Sequence, residues 1–236
     1  RQQGGFNLFP LVDDHPGFMT PSGLIEIWSL VCEAYLGDED KFPVYREPTN
    51  SPVTTPEYFD AAKVADIDES KLRNMDYPAS LQEHADATFL MTTGARQPVY
   101  FHSEHRQLPW CRELWPSPRL EMNPNDAARL GLEQGQWIWI RSPWGAIREV
   151  VDLYYGIKEG TVNANHAWWY PEIDTASHGF ELVNINCVMD PYGQDVVCGA
   201  ATMRSVPVLV YKATEENSPF GNPVPCDPQG NPCICD

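Results

Sequence analysis

Between residues 96 and 119 this acidic chain changes character. The stretch carries Arg96, Arg106, Arg112 and Arg119 with His102 and His105, against only Glu104 and Glu113: a local charge of +2 inside a chain of −17. Aromatic residues are interleaved with these cations in "YFHSEHRQLPWCREL" (100–114). A guanidinium presents parallel N–H donors to a phosphate or carboxylate, and its plane stacks on rings. The combination suits an anionic ligand that carries phosphates and flat heterocycles. It equally suits arginines that pair with the chain's own abundant carboxylates, and composition does not choose between the two.

The cysteines are the other residues with chemistry to offer. Of the seven, Cys32, Cys111, Cys187 and Cys198 are scattered singly, which fits small buried hydrophobes in a reducing compartment or disulfide partners. Cys226, Cys233 and Cys235 sit in "PCDPQGNPCICD", where a metal, a disulfide or a disordered tail are all compatible with a Pro/Gly/Asn-rich context without histidine. Sixteen basic against thirty-three acidic residues argue against nucleic acid or an anionic membrane as partner for the whole surface. No apolar run reaches the roughly 18–20 residues that span a bilayer. The chain starts at Arg1 rather than methionine, and we expect a piece of a longer protein.

The elements that must position the basic stretch are short. Residues 1–86 hold sixteen acids and six bases and several Pro-rich runs, and are expected to be an irregular segment. Within it "LIEIWSLVCEAYL" predicts one short helix or strand, and "PEYFDAAKVADI" another helix. From residue 87 strands dominate. "ATFLMTT" predicts a strand that stops at Gly94. "NPNDAARLGL" predicts a short helix over 124–130, with Asn123 as N-cap, Pro124 in the first turn and Gly131 at the end. "QWIWIRSPWGAIREVVDLYY" reads as two strands about a Pro-Trp-Gly turn, "GIKEGTVNANHAWWY" as a turn and strand, and "RSVPVLVYKA" as a last strand. The pattern predicts a mainly β barrel or compact α+β domain over 87–214, followed by a Pro/Cys-rich tail at 215–236.

The order of these pieces resembles the C-terminal part of the molybdopterin oxidoreductases of the dimethyl sulfoxide reductase family. "TPSGLIEIWS" (20–29) is similar to the segment that precedes that family's last domain. "MTTGARQPVYFHSEHRQLPWCRELWPSP" (91–118) resembles its strand, TGxR turn and Phe-His-Ser stretch, and "LEMNPNDAARLGLEQGQWIWIRSPWGAIREVV" (120–151) its Asn-Pro-x-Asp-Ala motif. "HAWWYPE" (166–172) and "HGFELVNINCVMDP" (178–191) match later stretches in the same order. The wording leans toward the subgroup of polysulfide or thiosulfate reductase-like enzymes, acetylene hydratase and catechol dehydroxylases.

That resemblance implies a double-psi β-barrel and a cofactor: molybdopterin guanine dinucleotide with molybdenum or tungsten. Carried over residue by residue, Thr93, Gly94 and Arg96 match the TGxR turn, where backbone and guanidinium face the cofactor. Phe101, His102 and Ser103 match the stretch that contacts pterin and phosphates, and Arg106 is a candidate second cation. Asn186 matches the Asn of Asn-x-Leu-Thr, with Asn184 as its neighbouring candidate, and Arg204 falls where the family places a polar contact. The sequence "CVMD" after the Asn departs from Leu-Thr. The family's metal ligand and iron–sulfur cysteines lie before residue 1, so no metal ligand is assigned here and the piece is not expected to turn over alone. The implied partners are the remainder of the same catalytic subunit and an iron–sulfur electron-transfer subunit. The competing reading is an autonomous barrel that serves as a binding module without a redox role.

Overall fold

Short apolar runs, alternating with less buried residues in three of them, set six short strands. In the computed structural model, which describes residues 18, 20, 23–42, 44–94 and 96–218, they are β1 (Thr88–Thr93), β2 (Arg119–Met122), β3 (Trp137–Ser142), β4 (Gly145–Leu153), β5 (Thr161–Ala164) and β6 (Val206–Lys212). In β3 every second residue is buried, so Ile138 and Ile140 enter the core while Trp137 and Trp139 cover its outside. The strands close into a barrel in the order β1-β5-β2-β4-β3-β6, the expected six-stranded double-psi arrangement. Two neighbouring pairs, β1 with β5 and β2 with β4, run parallel; the others are antiparallel. Closure leaves no open edge to cap.

Among the described residues there are five short α-helices: α1 (Leu30–Leu36), α2 (Tyr77–Glu83), α3 (Pro109–Leu114), α4 (Pro124–Arg129) and α5 (Phe180–Val183). The predicted helix at 124–130 is α4: the Asn123 side chain accepts from Asn125 N–H, Pro124 opens it, and Gly131 follows at φ +65°. The helix expected in "PEYFDAAKVADI" forms instead as two 3-10 segments, Pro56–Tyr58 and Ala61–Asp66. Asp60, extended at φ −125°, breaks them apart by capping Ala62 N–H. The cysteine tail at Cys226, Cys233 and Cys235 lies outside the described residues, and the four described cysteines are free thiols.

The chain divides into a small unit, the described residues up to Arg46 with Asp195–Ala200, and a larger one, Glu47–Gln194 with Ala201 onward. The boundary expected at residue 86 therefore falls inside the larger unit. Tyr58, Ile67, Leu72, Tyr77 and Leu81 are buried with the strand residues in one cluster, so residues 47–86 help to build the barrel's core. In the small unit α1 buries none of its residues.

Strand register fixes which loops meet. Thr93, the last residue of β1, lies opposite Ala164, the last of β5; Leu120 of β2 lies opposite the same Ala164. Val206, the first residue of β6, pairs with Met91. The loop after β1, the loop after β5 and the entry to β6 thus share one end of the barrel.

Candidate functional site

That end carries the basic stretch. β1 finishes on the buried Thr93, and Gly94 follows at φ +102°, a backbone region that L side chains avoid. A Cβ there would meet nothing within 4 Å, so glycine is required by the turn itself rather than by crowding. Beyond it the loop is tied by Tyr100 N–H to the Gln97 carbonyl (3.3 Å) and Glu104 N–H to the Phe101 carbonyl (2.9 Å). His102 and His105 take left-handed backbone, φ +50° and +74°. The loop ends at α3, where Pro109 occupies the first turn.

The predicted residues sort by exposure. Arg96, Phe101, His102 and Ser103 are exposed on this loop, with the Arg96 guanidinium 5.9 Å from the Phe101 ring. The loop after β5 meets them: His166 Nε2 lies 3.3 Å from His102 Nδ1, and the Trp169 indole donates to the Ser103 carbonyl at 2.7 Å. Asn184 is half-buried; it caps the 3-10 helix Ile185–Val188 and donates to the Trp168 carbonyl at 3.0 Å, tying that helix to the same loop. Asn186 is exposed one step further on. Arg204 is exposed two residues before β6, and the β1–β6 register brings it to the same barrel end as Thr93. Arg106 differs from all of these, because it is 1% exposed.

The question that composition left open is answered arginine by arginine. Arg112, in α3, makes a buried two-pronged ion pair with Glu172 at 2.7 and 3.0 Å. Burial pulls that guanidinium down, but the Glu172 hydrogen bond and charge outweigh it, and its pKa is raised. Arg119 pairs with Asp152 at 3.5 Å and stacks on Trp115 at 4.0 Å. Arg106 lies against Tyr100 and Trp168 and donates to backbone carbonyls. The cations held outward among the candidates are therefore Arg96 and Arg204. The sequence reading did not single out Arg112 with Glu172, and a cation and a carboxylate 60 positions apart give no local signal.

Behind the site lies a buried polar layer. Glu149 of β4 is fully buried, and burial raises its carboxyl well above the usual range; the Asn165 N–H that would oppose this already donates to the Arg119 carbonyl at 3.0 Å. Tyr170, also buried, is raised by burial first and feels Arg112, Glu172 and Glu149. Trp168 is core at 0% exposure, whereas Trp169 is partly exposed at the rim. Two cavities of the larger unit, about 570 and 370 Å³, open elsewhere, and none of the ten candidate residues lines either.

Residues 89–207 match the family described as "Molydopterin dinucleotide binding domain". The chain belongs to that family. The matched span of this molybdopterin dinucleotide-binding domain runs from β1 into β6, the whole circuit of the barrel. The chain is 49% identical to "Dopamine dehydroxylase" of Eggerthella lenta over 224 residues, 94% of this chain and 20% of that protein. It is 30% identical to "Acetylene hydratase" of Syntrophotalea acetylenica over 156 residues, 66% of this chain and 18% of that one. Among solved structures it resembles "Acetylene Hydratase from Pelobacter acetylenicus" with a TM-score of 0.64 and 26% identity, covering 86% of this chain and 25% of the other. The chain spans about a fifth of the length of these curated relatives.

The cofactor of this domain is molybdopterin guanine dinucleotide with molybdenum or tungsten, and the donor set fits such a group. Exposed guanidinium, imidazole and hydroxyl groups suit a pyrophosphate, and Phe101 and Trp169 supply ring faces. The amide nitrogen of Gln97, on a residue 6% exposed at the root of the loop, has no hydrogen-bond partner within the protein. Among the described residues no group of three or more His, Cys, Asp or Glu side chains is placed to hold a metal ion.

Proposed function

We propose that this barrel end holds one dinucleotide arm of the cofactor in a larger molybdenum or tungsten oxidoreductase. In this reading Arg96 and Arg204 receive the phosphates, aided by the turn at Gly94 and by the His102 and Ser103 side chains. Phe101 and Trp169 border the flat rings, and Asn186 supplies an amide at the rim. One observation carries the reading: the polar residues spaced along 93–103, 184–186 and 204, Arg96, His102, Ser103, Asn186 and Arg204 of them exposed, converge on one end of the barrel, where strand register and cross-loop hydrogen bonds hold them. A barrel used only as a binding module has no need of that convergence. The cofactor supplies the redox chemistry when bound, and this chain binds and orients it.

For the whole protein, 49% identity along 94% of this chain supports a reaction like that named for the dehydroxylase relative, removal of an aromatic hydroxyl, ahead of hydration. The rest of the same polypeptide covers the exposed apolar face of α1 and contributes the metal ligand, and an iron–sulfur subunit delivers electrons. Purification of the natural polypeptide, followed by intact mass, metal analysis and acid release of nucleotide, tests this. A chain several-fold above 26.7 kDa that carries molybdenum or tungsten and releases GMP is expected. A metal-free chain that releases no nucleotide contradicts it.

A further inference from the structure

We infer that Arg106 is a positioning residue that shapes the anion-receiving loop from inside without touching the ligand. The inference rests on the dinucleotide reading above. The guanidinium carbon lies 3.7 Å from the centre of the Tyr100 ring and 4.4 Å from that of Trp168, and these two rings, centred 5.4 Å apart and 78° to one another, flank it on adjacent sides. Its two terminal nitrogens are spent on the loops, while Nε has no hydrogen-bond partner among the described residues. Nη2 donates to the His102 carbonyl at 3.0 Å, to Gln97 Oε1 at 3.4 Å and to the His166 carbonyl at 3.5 Å, and Nη1 donates to the Glu104 carbonyl at 3.3 Å. Three of these acceptors belong to the loop after β1 and one to the loop after β5. One buried cation therefore clasps the two loops that form the site.

The clasp has a consequence for the outer face. In a planar trans peptide the carbonyl of one residue and the N–H of the next point in opposite directions. Turning the His102 and Glu104 carbonyls inward onto Arg106 turns the Ser103 and His105 N–H groups away from it. The left-handed backbone of His102 and His105 is the local price, and alternating conformations of this kind make the amide concavities that hold anions. All four acceptors are neutral, so carbonyl dipoles and ring faces compensate the buried charge. Burial lowers its pKa to about 10, and it stays protonated at neutral pH. Lysine carries the same charge but neither the plane nor the fork.

Hydrogen exchange of the ligand-free chain, together with titration by guanosine 5′-diphosphate, tests the inference in Arg106→Lys and in the milder Gln97→Met. Arg106→Lys is expected to speed amide exchange at least about tenfold in both 97–108 and 166–169, and to weaken nucleotide binding by a similar factor. Gln97→Met is expected to act in the same direction by a few-fold, and it carries both readouts if the lysine variant does not fold. Unchanged exchange in the free protein overturns the inference: with weakened binding it makes Arg106 a direct contact, and with unchanged binding it makes Arg106 dispensable. A wild-type chain that binds no nucleotide removes the dinucleotide reading, and the exchange data still decide whether Arg106 holds both loops.

Discussion

Two arginines of the basic stretch end with opposite roles, and burial is what separates them. Arg96 stands outside beside Phe101, whereas Arg112 is locked to Glu172 with both partners largely buried. Removing one partner of a buried ion pair strands the other, at about 3–5 kcal/mol. We expect Glu172→Gln to lower the melting temperature by roughly 10 °C, measured by calorimetry, while Arg96→Ala leaves it unchanged. Glu149 predicts a pH dependence. Its folded-state pKa is raised, so its contribution to stability is full below the unfolded value near 4.3 and declines as pH rises toward the folded value. Glu149→Gln, which cannot ionise, should match the wild type near pH 4 and melt a few degrees higher at pH 8; a gap that does not widen with pH would contradict a buried protonated carboxyl. The residue types at the site were legible in the sequence, since the TGxR turn and the Phe-His-Ser stretch are contiguous. The inward turn of Arg106 was not, because its acceptors are carbonyls brought near by folding, one of them 60 residues away.

At the scale of elements, periodicity located β1, β3, β4, β5 and β6, and cap chemistry located α4. β2, α2, α3 and α5 were missed. β2 has only four residues between a Pro-rich run and "NPND", too few for alternation to register, and α3 starts at a proline that reads equally as a turn. The Pro-Trp hairpin between β3 and β4 depends on close backbone approach at Gly145: a Cβ there would meet the Cys187 carbonyl oxygen at 2.1 Å and its carbon at 3.1 Å. Because the obstacle is backbone, Gly145→Ala must displace either the hairpin or the Ile185–Val188 helix. Overpacking of this kind costs about 1–3 kcal/mol, so a fall of several degrees in melting temperature is expected, with the Asn184–Trp168 tie loosened. A variant as stable as the wild type would show that the contact relaxes freely.

For the whole molecule, the acid excess of residues 1–86 suggested a loose leader, yet five of its apolar residues from Tyr58 to Leu81 complete the barrel's core. Tyr58, Ile67 and Leu72 lie in or beside 3-10 segments without a helix or strand period, and Tyr77 and Leu81 share one face of α2, whose seven residues are too few to announce themselves. Limited proteolysis should therefore cut first before Glu47, in the segment around α1, and leave 47–86 attached to the barrel; early cuts at 60–75 would contradict this. The central claim is that the loop end of the barrel receives a phosphate-bearing nucleotide. Titrating the chain with guanosine 5′-diphosphate and with guanosine, at low and high salt, tests it most directly. The account predicts weak binding, a preference for the diphosphate of about tenfold at low salt that salt erodes, and loss of that preference in Arg96→Ala. Equal affinity for the two ligands, indifferent to salt and to Arg96→Ala, would contradict it.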